Sequence, residues 1–352
     1  SFNILYDTAN NFSRGNKFIK QQKVNKKKRN KLATFSAGVP ERSKGLDLGS
    51  SGAGLRGFES RPPHQLIVLP RTNYLNYRKD CEYSLRFMRV LIKLFYDGVF
   101  FKGFQIQPNC ETVEGVLRDA LLNLGWVGKI RYVSRTDAGV HSLAQIVQID
   151  LNKRIDVENF LWLVNSEFPL CVRILSFCVV NKKVDVRKCV GEKEYLYIAL
   201  DLGENEDRLR RGVDFISSQP HDFAVLSKRK KDRKEETVRR VKVRFERRGR
   251  FQFFYFRSRG FLWEQVRRTV TLLKGYALGY LGFDDFVRVL RGINVKTGIA
   301  PAPAEGLILW AVKTRVKNWK NIIDQKVLRN ILLSKVKYYA IINSKRWVFP
   351  HK

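Results

Sequence analysis

Ser134-Arg135-Thr136-Asp137-Ala138-Gly139-Val140-His141 lies between two short β-like stretches, at about residues 130–134 and 145–150. The second carries Ile146, Val147 and Ile149 and reads as a core strand. An Asp two residues before a Gly, between strands, is ordinarily a turn. Asp hydrogen-bonds its own backbone and Gly supplies a positive φ. Whether this turn does more depends on what surrounds it.

Upstream, Val90, Ile92, Leu94 and Tyr96 alternate at period two and end at Asp97-Gly98, a strand followed by a turn. Thr112 is placed to N-cap a helix with Glu114 in its first turn, and Val113, Val116, Leu117, Ala120, Leu121 and Leu124 form its apolar stripe. Downstream, Asp156 can cap a helix that stops before Pro169. Three β-rich stretches are expected at about 172–180, 184–190 and 193–202. An amphipathic helix near 206–217 precedes the very basic segment Lys228 to Arg240, read as an exposed loop. Strands near 240–247 and 251–257 form a hairpin across Arg248-Gly249-Arg250. A helix over about 261–280, a short one at 283–291 and a strand through Leu307, Leu309 and Ala311 complete the pattern. Several β segments run consecutively, without a regular βαβ rhythm. The expected class is α+β, a mostly antiparallel sheet with helices on one face.

The 352 residues hold 67 Lys and Arg against 33 Asp and Glu, a formal net charge of +34. Such an excess points to a polyanionic partner, because neutralising phosphates releases condensed counterions. Five cysteines without a C-x-x-C pair and four histidines without metal-ligand spacing argue against a zinc site. No GxGxxG or Walker-type loop follows a strand, so no nucleotide cofactor is expected. No apolar run is long enough for a bilayer and no signal-peptide pattern is seen, so the expected location is the cytoplasm.

The sequence Arg135 to His141 resembles that of the TruA-type tRNA pseudouridine synthase family, whose members carry R-T-D-A-G-V-H after a strand. Flanking matches occur in order. Before it stand Tyr96-Asp97-Gly98, Phe101-Lys102-Gly103-Phe104-Gln105 and Thr112-Val113-Glu114-Gly115. After it come Asn165 with Pro169, Asp185-Val186-Arg187, Lys193-Glu194-Tyr195-Leu196-Tyr197, His221-Asp222-Phe223, Phe261-Leu262 with Val266-Arg267, and Ala300-Pro301-Ala302. The resemblance spans about Met88 to Thr314. It departs at Ser134, Ser142, Phe104 and Trp263-Glu264-Gln265.

The resemblance implies the pseudouridine synthase fold, two related halves around a basic cleft, divided here as 88–192 and 193–316. It also implies a homodimer cradling one tRNA and modifying uridines just 3′ of the anticodon, positions 38 to 40. Asp137 matches the family's essential aspartate, a carboxylate able to attack sugar or base. Arg135 would pair with a carboxylate or a phosphate through its planar fork and could hold Asp137 ionised. Tyr195 matches the active-site tyrosine, whose ring can stack on a flipped uracil. Arg267 would pair with Asp137, and Arg187 is a weaker phosphate or active-site contact. Lys102 and Arg229 are candidate substrate contacts. His141 is read as ordering the loop rather than as a base, and Gly103 and Gly139 as serving backbone geometry. The isomerisation has no redox step, so no cofactor is needed. A silent RNA-binding protein, a synthase acting at another RNA position, and a base-cleaving hydrolase are the rival readings. The hydrolase would call for two carboxylates, and the loop offers one.

Residues 1–87 differ from the rest. A Lys- and Asn-rich stretch with Lys26-Lys27-Lys28-Arg29 is followed by one rich in Gly, Ser, Arg and Pro, neither able to bury enough surface to offset chain entropy. Gly57-Phe58-Glu59-Ser60 can be encoded by a sequence like a tRNA T-arm, and Val39 to Gly45 by one like a D-arm. The expectation is a frame extended upstream through a tRNA gene, with translation starting at Met88; the rival is a disordered RNA-binding arm. At the other end, residues 317–352 form a basic extension in which Trp319, Ile322, Ile323, Val327, Ile331 and Leu332 lie near helical spacing.

Overall fold

The computed structural model describes residues 87–152, 154–228, 236–293 and 298–349. The readings of the amino-terminal segment, Arg229 and most of the basic segment after Lys228 fall outside the described residues.

One nine-stranded sheet organises the described chain. Its strands are β1 (Phe87–Tyr96), β2 (Arg131–Tyr132), β3 (His141–Asn152), β4 (Val172–Val180), β5 (Val190–Leu200), β8 (Lys242–Arg248), β9 (Phe251–Ser258), β10 (Leu307–Thr314) and β11 (Lys320–Asn321). Two short strands, β6 (His221–Asp222) and β7 (Val238–Arg239), pair separately. The order β11-β4-β1-β3-β10-β5-β9-β8 is antiparallel except where β10 runs parallel to β3, at Ile308 against His141. That parallel pair is the seam between the first group, β1, β3 and β4, and the second, β5, β9 and β8.

Two helices cover the first group, α1 (Val113–Asn123) and α2 (Val157–Glu167), and three the second, α3 (Glu206–Ser218), α4 (Gln265–Ala277) and α5 (Phe283–Leu290). The caps act as the sequence predicts. Thr112 Oγ1 accepts from Gly115 N–H at 3.2 Å, and Asp156 Oδ1 from Glu158 N–H at 3.0 Å. The even residues of β1, Val90 to Tyr96, pack with α1 and α2. Tyr195, Tyr197 and Ala199 of β5 pack with α3, α4 and α5.

The alternate residues are apolar as well. Phe95, Leu196, Ile198, Phe253, Tyr255 and Ile308 form a second apolar face, and α6 (Gln325–Ile342) covers it with fully buried Leu332 and Val336. Helices therefore lie on both faces, not one. Leaving those side chains in water would forfeit about 1.5–3 kcal/mol each.

Two boundaries differ from expectation. Residues 184–189 form a turn rather than a strand, because Asp185 accepts backbone hydrogen from Arg187 through its side chain and from Lys188 and Cys189 through its carbonyl. The helix expected from 261 begins at Gln265, since Glu264 is left-handed at φ 63° and breaks the helical path. No helix among the described residues is long and apolar enough to cross a membrane.

Candidate active site

Several of the stretches quoted around Asp137 converge in space and hold its loop. Tyr96 Oη and Thr136 Oγ1 share a buried hydrogen bond of 2.7 Å. Phe104 N–H donates to Thr136 O at 3.1 Å. Gln145 brackets Ser134, accepting from its N–H at 3.1 Å and donating to its carbonyl at 2.6 Å. Gly98 packs so tightly under Val140 that an added Cβ would overlap that residue's backbone carbonyl. Gly139, at φ 83°, turns the chain where a Cβ would press on Ala304 at 3.1 Å.

His141 is wholly buried beneath the loop. Its Nδ1 lies 3.1 Å from both Gly98 N and Asp97 Oδ1, its Nε2 lies 3.1 Å from Glu305 O, and its ring stacks on Tyr339 of α6. It orders the loop and faces no cleft.

Asp137 itself lines an open cleft of about 1210 Å³ between the two groups of strands. Burial pushes its carboxyl above the usual range, and the charge of Glu264 adds to this. Arg267 opposes the shift, its Nη1 3.5 Å from Asp137 Oδ2. Arg267 is aimed by the Ala300-Pro301-Ala302 loop: Nε donates to Ala302 O at 2.6 Å, and Tyr197 Oη steadies the next residue through Pro303 O at 2.9 Å.

Tyr195, 8% exposed, stands over the same floor with its ring edge-on to Phe261 at 5.2 Å. Burial beside the Asp137 charge raises its hydroxyl to about 12, so it stays protonated at neutral pH.

Arg135 is exposed on the cleft wall, and its positive charge acts on the Tyr132 hydroxyl. Of the two arginines expected to meet Asp137, it is Arg267, 130 residues along the chain, that forms the ion pair. Arg187 and Lys102 are exposed and line the cleft, Arg187 Nε donating to Tyr132 O at 3.4 Å.

Three lining residues were given no site role from the sequence. Lys193 donates to Val133 O at 3.0 Å, and burial, reinforced by the Arg187 charge, lowers its ammonium to about 8. It sits in the Lys193-Glu194-Tyr195 match, but a strand pattern does not tell a buried lysine from a surface one. Glu264 brings a second carboxylate near Asp137, but it is paired with Arg268, whose Nε donates to it at 3.0 Å. Trp263 stands at the rim, where the sequence departs from the family.

A family model described as tRNA pseudouridine synthase matches residues 220–314. The tRNA pseudouridine synthase A of Methanosarcina barkeri is 32% identical over 268 residues, covering 70% of this chain and 97% of that one. That of Oceanobacillus iheyensis is 32% identical over 244 residues, covering 64% and 96%. That of Pyrococcus horikoshii is 34% identical over 230 residues, covering 64% and 85%. With nearly the whole length of such a relative matched, the chain belongs to the tRNA pseudouridine synthase A family, a family of isomerases.

Proposed function

We propose that this protein converts uridine to pseudouridine in the anticodon stem-loop of tRNA, at positions 38 to 40, with Asp137 as the attacking carboxylate. The observation that carries the reading is the half-buried Asp137 carboxylate, paired with Arg267 and beside Tyr195 on the floor of a cleft rimmed by lysines and arginines.

The reaction breaks the N1–C1′ bond, turns the base, and joins C5 to C1′. C5 gives up a proton and N1 gains one, so no atom enters and no electron leaves. A carboxylate adding to the sugar or to the uracil makes the base free to turn, then departs. Arg267 keeps Asp137 ionised against the pull of burial. Tyr195 offers a ring face and a protonated hydroxyl to a base taken out of the RNA stack. Lys102, Arg135, Arg187 and Lys193 line the walls where phosphates would run. Pairing of two copies around one tRNA, in the cytoplasm, accompanies this reading.

The test is carbodiimide primer extension on an unmodified tRNA transcript, with the full chain and its Asp137→Asn variant. Pseudouridine just 3′ of the anticodon, absent with the variant, is the expected result. Binding without pseudouridine would overturn the proposal in favour of a silent RNA-binding protein, and pseudouridine elsewhere would overturn the position.

A further inference from the structure

The turn before α4 buries its members on either side of one outward residue. Leu262 and Gln265 are buried, and they are tied together: Leu262 N–H donates to Gln265 Oε1 at 2.8 Å, and Gln265 N–H to Leu262 O at 3.2 Å. Glu264 takes a left-handed backbone and is held by Arg268. A non-glycine residue in that region persists where its surroundings over-determine it. Between them, Trp263 is 43% exposed. A single exposed aromatic is ordinary on a protein surface. This one is placed by a strained, pinned turn at the rim of the catalytic cleft, lining it together with Asp137.

Lys228 joins it from the other side. Its N–H donates to Trp263 O at 3.0 Å, and its ammonium lies 4.6 Å from the indole centroid. An indole with a cation at its face, beside a channel for a phosphate chain, is the pairing that single-stranded nucleic acid uses: a base on the ring, a phosphate on the charge. The cleft also exceeds the roughly 300–1,000 Å³ of a site for one small molecule.

We propose that Trp263 and Lys228 form a subsite for the nucleotide adjoining the target uridine, with its base on the indole and its phosphate at the Lys228 ammonium. This rests on the reading of Asp137 as the group that attacks that uridine. The subsite holds the strand beside the vacated position and so favours the turned-out base.

The experiment uses anticodon stem-loop RNAs carrying 2-aminopurine on the 5′ or the 3′ side of the target uridine, bound to the full chain and to Trp263→Ala, Trp263→Phe and Lys228→Met. The Asp137→Asn background prevents turnover. Trp263→Ala should weaken binding about tenfold to a hundredfold and remove the binding-induced fluorescence change at one flank, while Trp263→Phe retains it. Lys228→Met should keep that change and lower the salt dependence of log Kd by about one. Thermal unfolding confirms that the variants are folded. An unchanged Kd and unchanged fluorescence at both flanks in Trp263→Ala, with pseudouridine still formed by the native chain, would overturn the subsite alone. No pseudouridine from the native chain would overturn the reading beneath it.

Discussion

Lys335 on α6 donates to Oδ2 of Asp97 at 3.0 Å, linking the carboxy-terminal extension to the turn that follows β1. The other oxygen of Asp97 lies 3.1 Å from His141 Nδ1, at the end of the Asp137 loop. Tyr339 stacks on His141, and Arg346 pairs with Glu305 at 2.8 Å within the cleft lining. The extension is thus a wall of the site as well as a cover for the sheet.

Lys335→Ala should therefore destabilise the protein by about 1–2 kcal/mol, since it takes one cation from a buried carboxylate. Burial alone would raise the Asp97 carboxyl, but His141 and Lys335 outweigh it and hold it at about 2. A depressed folded value gives stability that is present above the unfolded value and lost as pH falls toward about 2. Acid unfolding followed by circular dichroism should move to higher pH in the variant. An unmoved acid transition would remove the role given to Lys335.

The acid limb of turnover should lie above the ordinary carboxylate range, because burial raises Asp137 and only its ionised form attacks. Arg267→Gln should move that limb further up in pH. It should also lower kcat by about 10²–10³, the usual consequence of losing one charge-stabilising group. A pH profile of single-turnover rates measures both. A limb that stays in place would mean that Asp137 is not the titrating group.

Asp137→Asn should raise the melting temperature at pH 7 while abolishing activity. The sign follows from the raised carboxyl: the folded state binds the proton more tightly than the unfolded chain, so ionisation at neutral pH opposes folding. A neutral amide removes that opposition. Differential scanning calorimetry decides it, and a lower melting temperature would show the Arg267 pair to outweigh burial.

Gly98→Ala should impair the site through backbone displacement rather than lost chemistry. Its Cβ would meet the carbonyl of Val140, three residues after Asp137, where no flexible side-chain end can yield. Overpacking of this kind costs about 1–3 kcal/mol. Turnover should fall more than RNA affinity, as a kcat and Kd comparison would register. Native-like kcat would show that the loop can shift freely.

Local chemistry determined much of this protein from the sequence alone. Caps at Thr112 and Asp156, the period-two strands and the glycine hairpin at Gly249 depend on neighbours a few residues away, and the motif around Asp137 named the family. Three things were decided only in the folded chain. Both Arg135 and Arg267 were expected near Asp137, and the fold chose Arg267, because ion pairing depends on where α4 and the Ala302 carbonyl place a guanidinium far along the sequence. Glu264 is left-handed, and so the helix starts late and Trp263 turns outward, a backbone choice that no composition signals. The carboxy-terminal helix packs on the second face of the sheet and braces His141 from behind. Its periodicity was visible, but only the assembled sheet, with Phe95, Leu196 and Ile308 on one side, supplied the apolar surface it covers.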